Sequence, residues 1–401
     1  MSFRALPDER LVGYMEGYYG RLLDWQERHR LLQTLTEHGM NTWCYAPKED
    51  ACHRYRWRDA WDDDWHRQFT IFCRTAGEKE ITVFAGIAPG LDFDYSTISD
   101  TAWGPPAKTD YNILLAKAQK LLHSGARGII LLMDDIDEKF AYRSGGFALE
   151  GEAHAALANK LGDDLDHALL VVPRAYANEI AKQSPDYLPA FAGTLLSHHA
   201  IAHCGSDIVS ETITMQDCKV HLGDSKHRLV IWDNLYANDY CPRRLFVGSW
   251  AGRNEPYDVL LNPTGMVNTD QILLDLMAAG LSGLPTASKY ETDKTWHAVM
   301  RRHNVPMEFD TLARWCWHPV FNSVIASNVD PDAIDQADIE AALDELLWCW
   351  KTPLAREWYP YLMGLRQDLL LVLDELPELR IHKTQTAPMA TTLCRSAEYS
   401  R

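Results

Sequence analysis

The chain has 401 residues, 46% of them hydrophobic and 24% charged, so a sizeable core is available and wholesale disorder is excluded. Its formal net charge of −17 leaves no basic excess to displace counterions, which argues against a nucleic-acid partner. No apolar run approaches the roughly 20 residues that span a bilayer, and the N-terminal MSFRALPDERLVGYMEG carries charges where a secretory leader would be apolar.

The nine cysteines are scattered, odd in number and without a C-x-x-C pair, so neither a disulfide framework nor a zinc ribbon is suggested. Together these features predict a cytoplasmic protein with no membrane partner.

Short β-branched or aromatic runs alternate with longer amphipathic ones along the chain. RLVGYMEGYYG (10–20) reads as a strand, followed by helical DWQERHRLLQTLTEHG (24–39). NTWCYAP (41–47) precedes helical DDDWHRQFTIFCRTAGEK (62–79), and ITVFAGIAPG (81–90) precedes YNILLAKAQKLLHSG (111–125). GIILLMDD (128–135) is the fourth strand, with GEAHAALANKLGDDL (151–165) behind it. HALLVVPRAY (167–176), the region of AIAHCGSDIV (200–209), HRLVIWDN (227–234) and DVLLNPTG (258–265) complete eight, the last followed by TDQILLDLMAAGLSG (269–283). Eight strand–helix units over about 280 residues match the size of a (β/α)8 TIM barrel. A doubly wound sheet is the alternative, but no Gly-rich phosphate-binding turn follows the first strand.

From about residue 285 the alternation stops. DQADIEAALDELLWCWKTPLAREWYPYLMGLRQDLLLVLDELPELR is helical in pattern, with aromatics and leucines on recurring faces. The expected organisation is an α/β barrel at 1–284, a smaller all-helical domain at 285–381 and a flexible tail at 382–401.

In such a barrel the chemistry lies at the C-terminal ends of the strands. Polar residues collect there in EGYYGR, YAPKED, DDIDE, PRAY, WDNLYAND and NPTG. The sharpest case is IILLMDDIDEKF, where an apolar run meets Asp134 and Asp135. Neighbouring strand residues point to opposite faces, so both carboxylates can enter one pocket only if the backbone turns at the strand end. Adjacent carboxyls in one pocket tend not to ionise together, and a retained proton is what a general acid needs. A helix-capping acid cluster, a magnesium site and a glycosidase acid pair all fit these residues. The last fits neighbouring carboxylates best when the substrate's own 2-acetamido oxygen is the nucleophile.

GYMEGYYGR, NTWCYAPKEDACHRYRWRD, LLMDDIDE and WDNLYANDY followed by RRLFVGSWAGR resemble, in order, the catalytic domain of glycoside hydrolase family 84. That family comprises protein O-GlcNAcases and related β-N-acetylglucosaminidases. The resemblance implies a (β/α)8 barrel and a metal-free, cofactor-free retaining mechanism through an oxazoline. The implied partner is a GlcNAc-bearing glycoprotein or glycan, with a homodimer left open and a catalytically silent carbohydrate binder as the rival. By matching positions, Asp134 resembles the residue polarising the acetamido group and Asp135 the general acid/base. Tyr176 resembles the tyrosine that bonds the developing oxazoline, and Asn234 the asparagine supporting that group. Gly17, Lys48, Asp239 and Asn262 match further sugar contacts, while Trp232 fits either the acetamido-pocket wall or the core. Glu16, His53, Arg54, Arg56 and His154 read as structural, and Asp137 and Glu138 as caps of the next helix.

Overall fold

The computed structural model describes residues 3–99, 108–136, 140, 143–283, 289–316 and 336–372. Its centre is a closed parallel barrel of β1 (Val12–Glu16), β2 (Thr42–Tyr45), β3 (Thr82–Ile87), β4 (Gly128–Leu132), β5 (Leu170–Val172), β6 (Ala200–His203), β7 (Arg228–Asp233) and β8 (Asp258–Leu261). Each strand pairs with the next, and β8 closes on β1 through Val12, Gly13 and Tyr14 against Val259, Leu260 and Leu261. All eight expected strands are present, and the fold is a (β/α)8 TIM barrel.

The outer helices begin where the sequence supplies caps. Asp24 and Glu27 form a reciprocal capping box for α1 (Trp25–Glu37). Asp62 accepts from Trp65 N–H at the start of α2 (Asp63–Glu78), and Thr109 from Asn112 N–H before α3 (Asp110–His123). α4 (Glu150–Leu165) ends on Asp166 in the left-handed region, φ +55°.

The later crossovers depart from a strict strand–helix repeat. After β5 come two short helices, α5 (Asn178–Ala181) and α6 (Tyr187–Thr194), and after β6 only α7 (Met215–Lys219). Residues 234–257, between β7 and β8, contain no helix at all. The repeat resumes with α8 (Val267–Ser282) after β8.

The barrel interior is packed rather than open. Its core includes Met15, Cys44, Ala46, Ile130, Leu132, Leu170, Val172, Ala200, Ala202, Val230, Trp232 and Leu260, all buried. These positions share one phase of the two-residue pleat. Extending that phase past each strand end reaches Gly17, Lys48, Asp134, Cys204, Asn234 and Asn262. The mouth at the C-terminal ends of the strands is thus the top layer of the core, built from residues that continue the inward pleat.

Two compact units divide the chain: Met1–Tyr240 with Gly248–Val299, and Cys241–Val247 with Met300–Arg401. Both the expected boundary at 284/285 and the expected tail at 382–401 lie outside the described residues. Within the second unit, Phe309, Trp350 and Trp358 pack together, with ring centroids 4.6 and 5.6 Å apart. The segment with the helical pattern divides into separate helical elements. Gln336–Asp344 runs into a π-helical turn at Glu345–Cys349, and a new helix, Pro353–Val372, starts behind Thr352. Thr352 Oγ1 accepts from Ala355 N–H at 3.1 Å, and Pro353 occupies a first-turn position where its missing N–H costs nothing.

Candidate active site

Asp134 lies two residues beyond β4 and points inward on the strand's own phase. It is 4% exposed. Its Oδ2 is held by Lys48 Nζ in a buried ion pair, while its Oδ1 is buried with no hydrogen-bond partner. The pairing fixes the carboxylate and leaves one buried acceptor unsatisfied. A buried acceptor left unmade carries a desolvation cost that a ligand N–H would relieve.

Asp135 would point away from the axis if the strand continued. Instead its φ is +52°, in the left-handed region, and its carboxylate lies exposed at the mouth. Tyr176 Oη donates to Asp135 Oδ1 at 2.8 Å, and Tyr19 Oη donates to Oδ2 at 2.8 Å. Burial, and after it the Asp135 charge, pushes both phenols well above their ordinary range, so both remain protonated donors. A phenol can also accept, so either tyrosine can reverse its role when Asp135 carries a proton.

The asparagines form one buried network. Trp232 Nε1 and Asn262 Nδ2 both donate to Asn234 Oδ1 at 2.9 Å, and Asn234 Nδ2 donates to the Ile208 carbonyl at 2.9 Å. Gly17 N–H donates to Asn262 Oδ1 at 3.1 Å. A Cβ at Gly17 would sit 2.3 Å from Trp232 Cζ2, so only glycine lets the chain pass the indole. Trp232 is itself 6% exposed and part of the barrel core, and Lys48 Nζ lies 5.7 Å from its ring centroid. One ring therefore closes the core and borders the site. Asp239 ties two mouth loops together, accepting Tyr19 N–H and Tyr240 N–H, each at 2.9 Å.

Among the sequence-derived residues, Asp134 is directly bonded to Lys48, Asp135 to Tyr176, and Asn234 to Trp232 and Asn262. Glu16 is fully buried and paired with Arg28 at 2.6 Å, where burial raises its pKa and the guanidinium counters that. His154 Nδ1 packs against Tyr187 Oη at 2.7 Å. Asp137 and Glu138 lie outside the described residues.

Three contributors were given no part in the site by the sequence. Tyr19 donates to the Asp135 carboxylate, whereas in its motif the sequence points to Glu16 and Gly17. Arg54, read from the sequence only as structural, joins its loop to the end of β4: it donates to the Asp134 carbonyl at 3.0 Å and the Asp135 carbonyl at 2.7 Å. The third is the buried pair Asp233–Arg253, both ends fully excluded from solvent at 2.7 Å. Trp250 Nε1 also donates to Asp233, and Arg253 donates to the carbonyls of Ser210, Glu211 and Ala251.

This pair substitutes for the missing crossover helix, because it fastens irregular loops beside Asn234. Arg253→Ala leaves a buried carboxylate without its cation. An expected loss of about 3–5 kcal/mol follows, read from the urea midpoint. A loss under about 1 kcal/mol would show the pair to be dispensable.

Residues 12–314 match a sequence model described as beta-N-acetylglucosaminidase. Protein O-GlcNAcase from Rattus norvegicus and that from Mus musculus are each 29% identical to this chain over 280 residues, 67% of it. The alignment covers 29% of each of those proteins. An O-GlcNAc hydrolase variant from Thermobaculum terrenum superposes with a TM-score of 0.71 at 19% identity, covering 94% of this chain and 87% of that one. CpGH84B gives 0.69 at 20%, covering 88% and 66%. At those identities the two structures speak to the fold alone, whereas the sequence match extends across the barrel. The chain belongs to the beta-N-acetylglucosaminidase family, glycoside hydrolase family 84.

Proposed function

We propose that this chain is a retaining, exo-acting β-N-acetylglucosaminidase that uses the substrate's 2-acetamido oxygen as nucleophile and removes O-linked GlcNAc from proteins. The observation that carries the reading is the state of Asp134: one oxygen held by Lys48, the other buried and without a partner. That free oxygen accepts the acetamido N–H and pushes electron density onto the acetamido oxygen. The oxygen attacks the anomeric carbon as the glycosidic bond breaks, and Asp135 delivers its proton to the departing oxygen. The resulting oxazoline is opened by water, from which Asp135 takes a proton, restoring the configuration.

The neighbouring carboxylates support substrate assistance. Glu16 and Asp233 are each consumed by a buried arginine pair, which leaves neither available to form a bond to the sugar. The relatives named protein O-GlcNAcase support a protein-linked substrate. Eight unpaired cysteines among the described residues are consistent with a reducing, cytoplasmic setting.

Successive fluorination of the N-acyl methyl group of an aryl β-N-acetylglucosaminide tests the nucleophile. Each fluorine withdraws electrons from the acetamido oxygen, so the rate should fall by orders of magnitude across the series, about 1.4 kcal/mol of barrier per factor of ten. A thiazoline mimic of the oxazoline should bind far more tightly than substrate. A rate indifferent to fluorine, with weak thiazoline inhibition, would remove substrate assistance.

A further inference from the structure

We propose that Arg54 is a positioning residue for the acid half of the site, holding Asp135 in the conformation that brings two consecutive carboxylates to one mouth. The proposal rests on Asp135 being the acid, as argued above.

In an extended strand successive carbonyls point in opposite directions, as successive side chains do. One planar guanidinium cannot then reach both. Here Arg54 Nη1 takes the Asp134 carbonyl at 3.0 Å and Nη2 takes the Asp135 carbonyl at 2.7 Å. The two carbonyls converge because Asp135 has φ +52°. A non-glycine residue persists there only when its surroundings over-determine it. The two-pronged bond supplies that constraint, and the same rotation swings the Asp135 side chain from the outer face to the mouth.

The anchor itself is rigid. Arg54 is 7% exposed. Its loop is pinned by Lys117 of α3, whose Nζ donates to the carbonyls of Cys52, Trp57 and Asp59 at 2.6, 2.7 and 2.5 Å. From inside the loop, Asp50 accepts from Tyr45 Oη at 2.6 Å and Trp61 Nε1 at 2.7 Å. The adjacent His53 donates from Nδ1 to the Gly86 carbonyl at 2.8 Å, joining the loop to β3. Arg54 therefore transmits the position of β2 and β3 to the strand end that carries the acid. A lysine cannot replace it, since an ammonium lacks the planar fork.

The test uses Arg54→Ala and Arg54→Lys with aryl β-N-acetylglucosaminides spanning good to poor leaving groups. A displaced acid penalises only substrates that need protonation. Arg54→Ala should therefore lose about 10²-fold in kcat/KM on poor leaving groups and less than about tenfold on activated ones. Arg54→Lys should recover little of the loss, whereas added guanidinium should restore Arg54→Ala on the poor substrates. Thiazoline affinity should stay within a few-fold of wild type, because Asp134 and Lys48 keep their own pairing. Thermal unfolding identifies a variant that fails to fold, and the lysine variant then carries the same comparison. Equal losses across leaving groups, with no response to guanidinium, overturn the proposal. Wild-type protein inert toward every aryl glycoside overturns the functional reading instead.

Discussion

Asp135→Asn will lower kcat/KM by about 10²–10⁴-fold on substrates whose leaving groups require protonation, and by less than about tenfold on activated aryl glycosides. The carboxamide keeps the size and the contacts with Tyr19 and Tyr176 but carries no transferable proton. Asp134→Asn will slow both classes by similar factors, because it acts on oxazoline formation rather than departure. Its chemistry follows from the Lys48 contact. The ammonium captures the carboxamide oxygen at the Oδ2 position, which turns the NH2 toward the mouth at the Oδ1 position. A donor then faces the acetamido N–H. Steady-state kinetics over a leaving-group series separates the two roles. If both variants respond alike to leaving-group pKa, this division of labour is wrong.

Stability should fall steeply below about pH 6, driven by buried neutral histidines. Burial is the first cause in every case. It depresses His53, His154 and His199 to about 3 and His203 to about 4, from 6.5. Neighbouring charges add to it, Lys48 beside His53 and Arg174 beside His154. Hydrogen bonding enforces the same result at two of them. Leu169 N–H donates to His199 Nδ1 at 2.9 Å and Gly205 N–H to His203 Nδ1 at 3.0 Å, so charging either ring ejects a backbone donor.

A group whose folded pKa is depressed contributes stability that is full above its unfolded pKa and is lost as pH falls toward the folded value. The window here runs from about 6.5 down to 3–4. At pH 5 each ring accounts for roughly 2 kcal/mol, and four together for about 8, comparable with the whole stability of an ordinary domain. Urea midpoints at pH 7 and pH 5 measure it, with His203→Gln expected to flatten the slope. An unchanged midpoint between those values would show the rings to be solvated.

The barrel was legible in the sequence because its signal is local. Alternating short apolar runs and capped amphipathic segments specify strands and helices residue by residue, as Asp24, Asp62 and Thr109 do at their helices. The inward side chains were also written there, since Lys48, Asp134, Asn234 and Asn262 each continue the two-residue phase of the strand before them. What remained open was whether Asp135, one residue out of phase, enters the same mouth. No local rule decides that. Its left-handed turn and the Arg54 bonds across 81 positions of sequence exist only once β2 and β4 are assembled around the barrel. The helix-free crossover after β7 is a similar case. Its order comes from Asp233 meeting Arg253 in a fully buried pair, a long-range contact that no periodicity announces. The sequence by itself determined the barrel, its eight strands and the inward-pointing residues at the strand ends, because those follow from patterns within a few positions. Only the tertiary structure decided how Asp135 is aimed, because that depends on charges and carbonyls brought together from distant strands.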